Sequence, residues 1–349
     1  MRKTSIVYLT VIFLSLILLP TAHGQDLTRY RGVNVVHSFI TASDLQYLGQ
    51  TWKVNLVRWQ LVWGVDGVGG PADTATPEAY DAWLESALQK LDGLLPVCEK
   101  YGIKVLVDLH TTPGGRNSSK QNRIFADAQN QARFIQTWNK IVFRYSGNKT
   151  VWGFDLANEP FQVTVASGLM DWQQLATQVS RNIRLTDSVH TIVISAHDNF
   201  INGLVALDPS IPNVEYTVHM YDPWPFSSQG IGQNWVHLKY PGMVNGTMWD
   251  KNKLKKYMQP VVDFQKKYGV RILMGEFSAV RWAAGGSAYN YLKDMTEICE
   301  ANGWDWTYHV FREYNGWSVE HTEDKNNPAP ATKTTNREAL LRAWFSKNH

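Results

Sequence analysis

The stretch Trp152-Gly153-Phe154-Asp155-Leu156-Ala157-Asn158-Glu159-Pro160 decides the fold. It reads as a β-strand that runs into polar groups. Pro160 has no N–H to give to a ladder, so the strand stops there, with Asn158 and Glu159 at its C-terminal end. Ile272-Leu273-Met274-Gly275-Glu276-Phe277 has the same form, with Glu276 at the end. A carboxylate that follows an apolar strand needs solvent, a partner or a task. Near-continuous apolar runs such as Val105-Leu106-Val107 suit parallel strands buried on both faces.

Working outward, the pattern predicts strands at 32–37, 54–60, 104–110, 151–158, 191–196, 215–220, 271–276 and 304–309. Between them it predicts helices at 43–50, 77–101, 129–145, 171–187, 251–268, 287–301 and 335–346, with 201–213 weak as a helix, a turn or a short helix at most. Eight strands alternating with helices leave an open doubly wound sheet or a (β/α)8 TIM barrel. No glycine-rich nucleotide loop follows the first strand, which argues against the open sheet. Arg58, His110, Asn158, Glu159, His219 and Glu276 are all expected at the C-terminal ends of strands, the face where barrels build active sites. The reading is therefore a single α/β barrel domain.

Met1 to Lys3 carries two basic residues, Ile6 to Leu19 is apolar, and Pro20-Thr21-Ala22-His23-Gly24 offers small residues at a cleavage point. That is the layout of a secretory signal peptide over 1–24. The expectation is an exported catalytic domain over 25–349, extracellular or periplasmic, monomeric and without a membrane span. The formal charge of +3 falls to about +1 once Arg2 and Lys3 are removed, which argues against nucleic acid as a partner. The 15 tryptophans fit a carbohydrate partner, because sugars stack their C–H faces on aromatic rings. Cys98 and Cys299 could pair in an oxidising compartment, but the expected helices that carry them are not side by side in a barrel, so two buried thiols is the expectation. With no Cys/His metal spacing, no metal or cofactor is expected.

Two glutamates on one barrel rim can face each other across a cleft. Glycosidic cleavage needs such a pair, one acid for the leaving oxygen and one carboxylate for the anomeric carbon. Taken with Arg58, His110, the trio His219-Met220-Tyr221 and Gly275-Glu276-Phe277, the triplet Asn158-Glu159-Pro160 resembles glycoside hydrolase family 5 from about Gly32 to Trp306. The resemblance implies retention of configuration, with Glu159 on strand four as acid/base and Glu276 on strand seven as nucleophile. Around them, Arg58 is expected to pair with Glu276 and keep it ionised. Asn158 is expected to bond the sugar 2-hydroxyl, and His110 to hold a hydroxyl or orient Asn158. Tyr221 is expected to donate to Glu276, and His219 to lie beside Glu159. Asp108 and Asp155, before the rim, read as structural. Trp63, Trp224, Trp235, Trp282 and Trp317 are candidate sugar platforms, Trp224 first because it follows strand six directly.

Strand eight departs from the family pattern. The family usually carries a tryptophan there, flooring the cleavage subsite, but Trp306 falls too early. Tyr308, His309 or Phe311 stands near the expected place, and at least one of the three is expected under the site, with Tyr308 counted among the supporting residues. Alternation sends Tyr308 to the same face as Trp306 and His309 to the other. A bulge at the strand end would bring His309 or Phe311 round instead.

The function expected is a retaining endo-β-1,4-glucanase of the cellulase type. Mannanase, xyloglucanase or exo-acting β-glycosidase activity would use the same two glutamates. A non-catalytic carbohydrate-binding barrel would have lost one of them. No Gly-x-Ser-x-Gly elbow points to a lipid or peptide hydrolase.

Overall fold

The computed structural model describes residues 28–64, 70–197, 201–232 and 234–348, so the signal segment expected over 1–24 lies outside them. The chain closes into a barrel of eight parallel strands: β1 (Arg31–Val36), β2 (Leu56–Gln60), β3 (Lys104–Asp108), β4 (Val151–Asp155), β5 (Thr191–Ser195), β6 (Val214–Met220), β7 (Arg271–Phe277) and β8 (Asp305–Tyr308). Each strand pairs with its sequence neighbours, and β8 closes on β1. The TIM barrel read from the sequence is the fold found.

Strand parity explains the two cores. Val57, Trp59, Val107, Phe154, Ile194, Met274 and Trp306 belong to the large core between strands and helices. Leu56, Leu106, Trp152, Val193 and Leu273 form a second cluster with Tyr30 that fills the bottom of the barrel. One step further along the strands stand Arg58, Asp108 and Asp155, buried and polar. The apolar plug thus ends halfway up, and the upper half of the barrel is lined by hydrogen-bonding groups aimed at the mouth.

The helices follow their stop and start signals. Thr76 caps α1 (Pro77–Lys100) by accepting from the Ala79 N–H, and Asp127 caps α2 (Ala128–Tyr145) by accepting from the Asn130 N–H. The helix expected over 251–268 is two helices, Lys251–Tyr257 and Gln259–Tyr268, with Pro260 in the first turn of the second, where its missing N–H costs no helical hydrogen bond. The stretch 201–213 contains no helix. Cys98 and Cys299 are free and buried, as expected, and burial pushes the Cys98 thiol up to about 12. No helix among the described residues is long and apolar enough to cross a membrane.

Candidate active site

The centre of the mouth is Arg58. It lies inside β2, two residues before the strand ends, and not at the strand terminus expected of it. Its guanidinium donates to Asp155 at 2.8 Å, to Glu276 Oε1 at 2.7 Å and to Asn158 Oδ1 at 3.1 Å, and pairs with Asp108 at 3.1 Å. It is fully buried, and although burial opposes its charge, Asp108, Asp155 and Glu276 together hold its pKa above the ordinary arginine value. Asp108 and Asp155 are structural in this sense: they fix the cation that fixes the rim.

Glu276, near the end of β7, is held at both oxygens. Oε1 accepts from Arg58 and from Gln60 Nε2 at 3.0 Å, and Oε2 accepts from the Tyr221 hydroxyl at 2.7 Å. Burial disfavours its ionised form, but the charges of His219, His309, Arg58 and His110 outweigh that and hold the carboxyl well below its usual range. Gly275, beside it, has to be glycine, because a Cβ there would lie 2.4 Å from Thr217 Oγ1 and 3.0 Å from His219 Nε2. Its carbonyl accepts from Asn34 at 2.8 Å and Thr307 at 2.6 Å, which fixes the end of the strand.

Glu159 follows β4 with φ +42°, a conformation uncommon for a side chain of its size. Arg116 steadies this turn by donating to the carbonyl oxygens of Asn158 and Glu159 at 3.4 and 3.1 Å. The Glu159 carboxylate is hydrogen-bonded to His219 Nδ1 at 2.8 Å. One oxygen of Glu159, one of Glu276 and a ring nitrogen of His219 all lie within 4.8 Å of one another. Such a trio offers ligand atoms to a metal. The spacing also matches two carboxylates working on one bond, which stand about 5–5.5 Å apart for retention and about 6.5–9.5 Å apart for inversion.

The sequence profile described as Cellulase (glycosyl hydrolase family 5) matches residues 21–315. The chain belongs to glycosyl hydrolase family 5. It is a glycoside hydrolase, as the paired carboxylates imply. Endoglucanase C of Acetivibrio thermocellus is 24% identical over 325 residues, covering 82% of this chain and 89% of that protein. Cellodextrinase A of Ruminococcus flavefaciens is 24% identical over 259 residues, covering 72% and 76%. Thermotoga maritima Cel5A in complex with cellobiose shares the fold, with TM-score 0.69, 20% identity, and coverage of 90% of this chain and 97% of that one.

Within this family 5 barrel the other expected residues divide. His110 is at the rim but spends its Nδ1 on Asp108 at 2.7 Å. Trp224 is 43% exposed and meets Tyr221 edge-on, as a platform would. Trp282 donates to the Gln229 carbonyl at 2.7 Å, and Lys325 and Arg281 lie over its ring, so its placement fits a loop anchor better than a sugar platform. Tyr308 is a correction. It points outward with Trp306, packs on Phe277 and gives its hydroxyl to the Trp317 carbonyl, as strand parity requires. Phe311 also faces the outer core, against Trp52. The ring at the cleft is His309, with Nδ1 3.7 Å from Glu276 Oε2. Gln60 and Asn34 are members of the site that the sequence reading missed.

Two results are expected from this geometry. Arg58→Met should cost about 3–5 kcal/mol of stability in denaturant unfolding, because Asp108 and Asp155 are left buried without their cation. A loss under about 1 kcal/mol would mean that other groups hold them. The second concerns pH. With Glu276 held below its ordinary 4.5, the acid limb of kcat/KM for an aryl glycoside with a good leaving group should lie below that pH. His219 makes the largest of the charge contributions that favour the ionised Glu276 carboxylate, so His219→Asn should move the limb upward. A limb that stays still or moves down contradicts this.

Proposed function

We propose that this family 5 glycoside hydrolase is a secreted endo-β-1,4-glucanase that retains anomeric configuration, with Glu159 as acid/base and Glu276 as nucleophile. The observation that carries the reading is the pair itself. Two rim carboxylates approach within 4.8 Å, one of them held ionised and oriented by Arg58, Gln60 and Tyr221. Glu276 Oε1 is held by two donors and Oε2 by one, so Oε2 is the freer oxygen to attack. It forms a bond to the anomeric carbon as Glu159 gives its proton to the departing glycosidic oxygen. In the second half Glu159 takes a proton from water, the water oxygen bonds to the anomeric carbon, and Glu276 leaves as carboxylate. Asn158, oriented by Arg58, takes the 2-hydroxyl, and Trp224 offers an apolar face beside the cleft.

The glucan assignment is supported by the endoglucanase and cellodextrinase names among the relatives. Export is supported by the basic start and apolar run before Gly24. A second reading, exo action on short chains, has an observation of its own. Asp73 and Arg116, from the segments after β2 and β3, are tied by a 2.8 Å hydrogen bond and wall a small pocket with Trp63 and His110. Product chromatography on cellulose, mannan, xyloglucan and cello-oligosaccharides separates the two. Endo action gives a ladder of cello-oligosaccharides from soluble β-1,4-glucan. A single short product from the first minutes would favour the exo reading, and turnover of mannan alone would overturn the glucan assignment.

A further inference from the structure

His309 lies beside Glu276 but has no step of its own in the catalytic scheme. It is 8% exposed, and its Nδ1 is buried without a hydrogen-bond partner. The ring is held edge-on by Tyr221, with centroids 6.3 Å apart, and by Trp317 at 5.2 Å, so it is not free to turn toward bulk water. A buried, unpaired ring nitrogen is unfavourable. Here it sits 3.7 Å from Glu276 Oε2, beside the space a sugar must fill when that oxygen attacks. On the far side of the ring, Nε2 faces Glu313 Oε2 at 3.8 Å. Carboxylates thus face both ring nitrogens, and Nδ1, the one aimed at the cleft, has no hydrogen-bond partner of its own.

The barrel order says which part of the sugar arrives there. β8 and β4 are four strands apart in a ring of eight, so His309 and Asn158 stand on opposite sides of the mouth. The anomeric carbon has two ring neighbours, C2 and the ring oxygen, and C5 with its hydroxymethyl lies beyond the ring oxygen. With the 2-hydroxyl turned to Asn158, the hydroxymethyl side turns to β8.

We propose that His309 is a specificity-determining residue whose Nδ1 forms a hydrogen bond with the 6-hydroxyl of the sugar in the cleavage subsite, so that the enzyme selects hexosyl over pentosyl backbones. This rests on Glu159 and Glu276 being the catalytic pair. The test is a grid of kcat/KM values. Wild type, His309→Phe and His309→Asn are each assayed on an aryl β-cellobioside and on its analogue lacking only the 6-hydroxyl of the aryl-bearing sugar. Removing either partner should lower kcat/KM about tenfold, and removing both should cost no more than removing one. His309→Asn should recover part of the loss on the full substrate, because its amide can again hydrogen-bond the 6-hydroxyl. If the Phe variant fails to fold, the Asn variant is read against the 6-deoxy substrate in the same way. Additive losses, a Phe variant within twofold of wild type, or coupling that appears only with 2- or 3-deoxy analogues each overturn the proposal while leaving the catalytic pair intact. A wild type inactive on every aryl β-glycoside overturns the catalytic pair, and the proposal falls with it.

Discussion

Glu276→Ala should lower turnover of an aryl β-cellobioside by at least about 10⁴-fold, and added azide should restore part of it. The carboxylate is the group that bonds to carbon in the proposed scheme, so no neighbour substitutes for it. Its removal leaves a space beneath the sugar that ends on Arg58, Gln60 and Tyr221, donors that now lack their acceptor. Azide is small and anionic enough to enter there and attack from the face Glu276 used. The product is then the α-glycosyl azide, inverted relative to the β-substrate. A β-azide from this variant, or rescue of the same stereochemistry at both glutamates, would exchange or dissolve the two roles.

Glu159→Ala should lower turnover by about 10²–10⁴-fold on a natural oligosaccharide and much less on an aryl glycoside with a very good leaving group. The difference arises because an alkoxide cannot depart without a proton, whereas an activated phenolate can. The second half-reaction also slows, since Glu159 no longer takes a proton from water. The intermediate then accumulates, and KM for the activated substrate should fall with kcat. An equal loss on both substrates would show that Glu159 does more than transfer protons.

Much of the site was legible because parallel strands expose chemistry at one end only. Pro160 stops β4 beside Glu159, and Glu276 comes near the end of an apolar run, so their shared rim follows from the fold class. Parity carries further than the sequence reading took it. Asn34 stands between apolar residues in Gly32-Val33-Asn34-Val35-Val36, and Gln60 lies two residues beyond Arg58, so each had to share the barrel interior with the cation. The same alternation turns Tyr308 outward with Trp306, and the next position, His309, inward. The antiparallel pair Gly242–Val244 and Thr247–Trp249 was announced by Asn245-Gly246, the residues favoured in a two-residue hairpin turn, with both φ values positive. Arg116 was not legible. It reaches the Glu159 turn from a loop, and no periodicity in the sequence relates those two segments.

The central claim is that Glu276 becomes covalently bound to the sugar. In an aryl 2-deoxy-2-fluoro-β-cellobioside the fluorine slows both steps and the activated leaving group restores only the first, so the intermediate is trapped. After proteolysis, mass spectrometry locates the added sugar. The account predicts one added sugar per chain, on the peptide that carries Glu276 and on that residue. Label on Glu159, or a chain that hydrolyses the parent substrate quickly yet never becomes labelled, would contradict it.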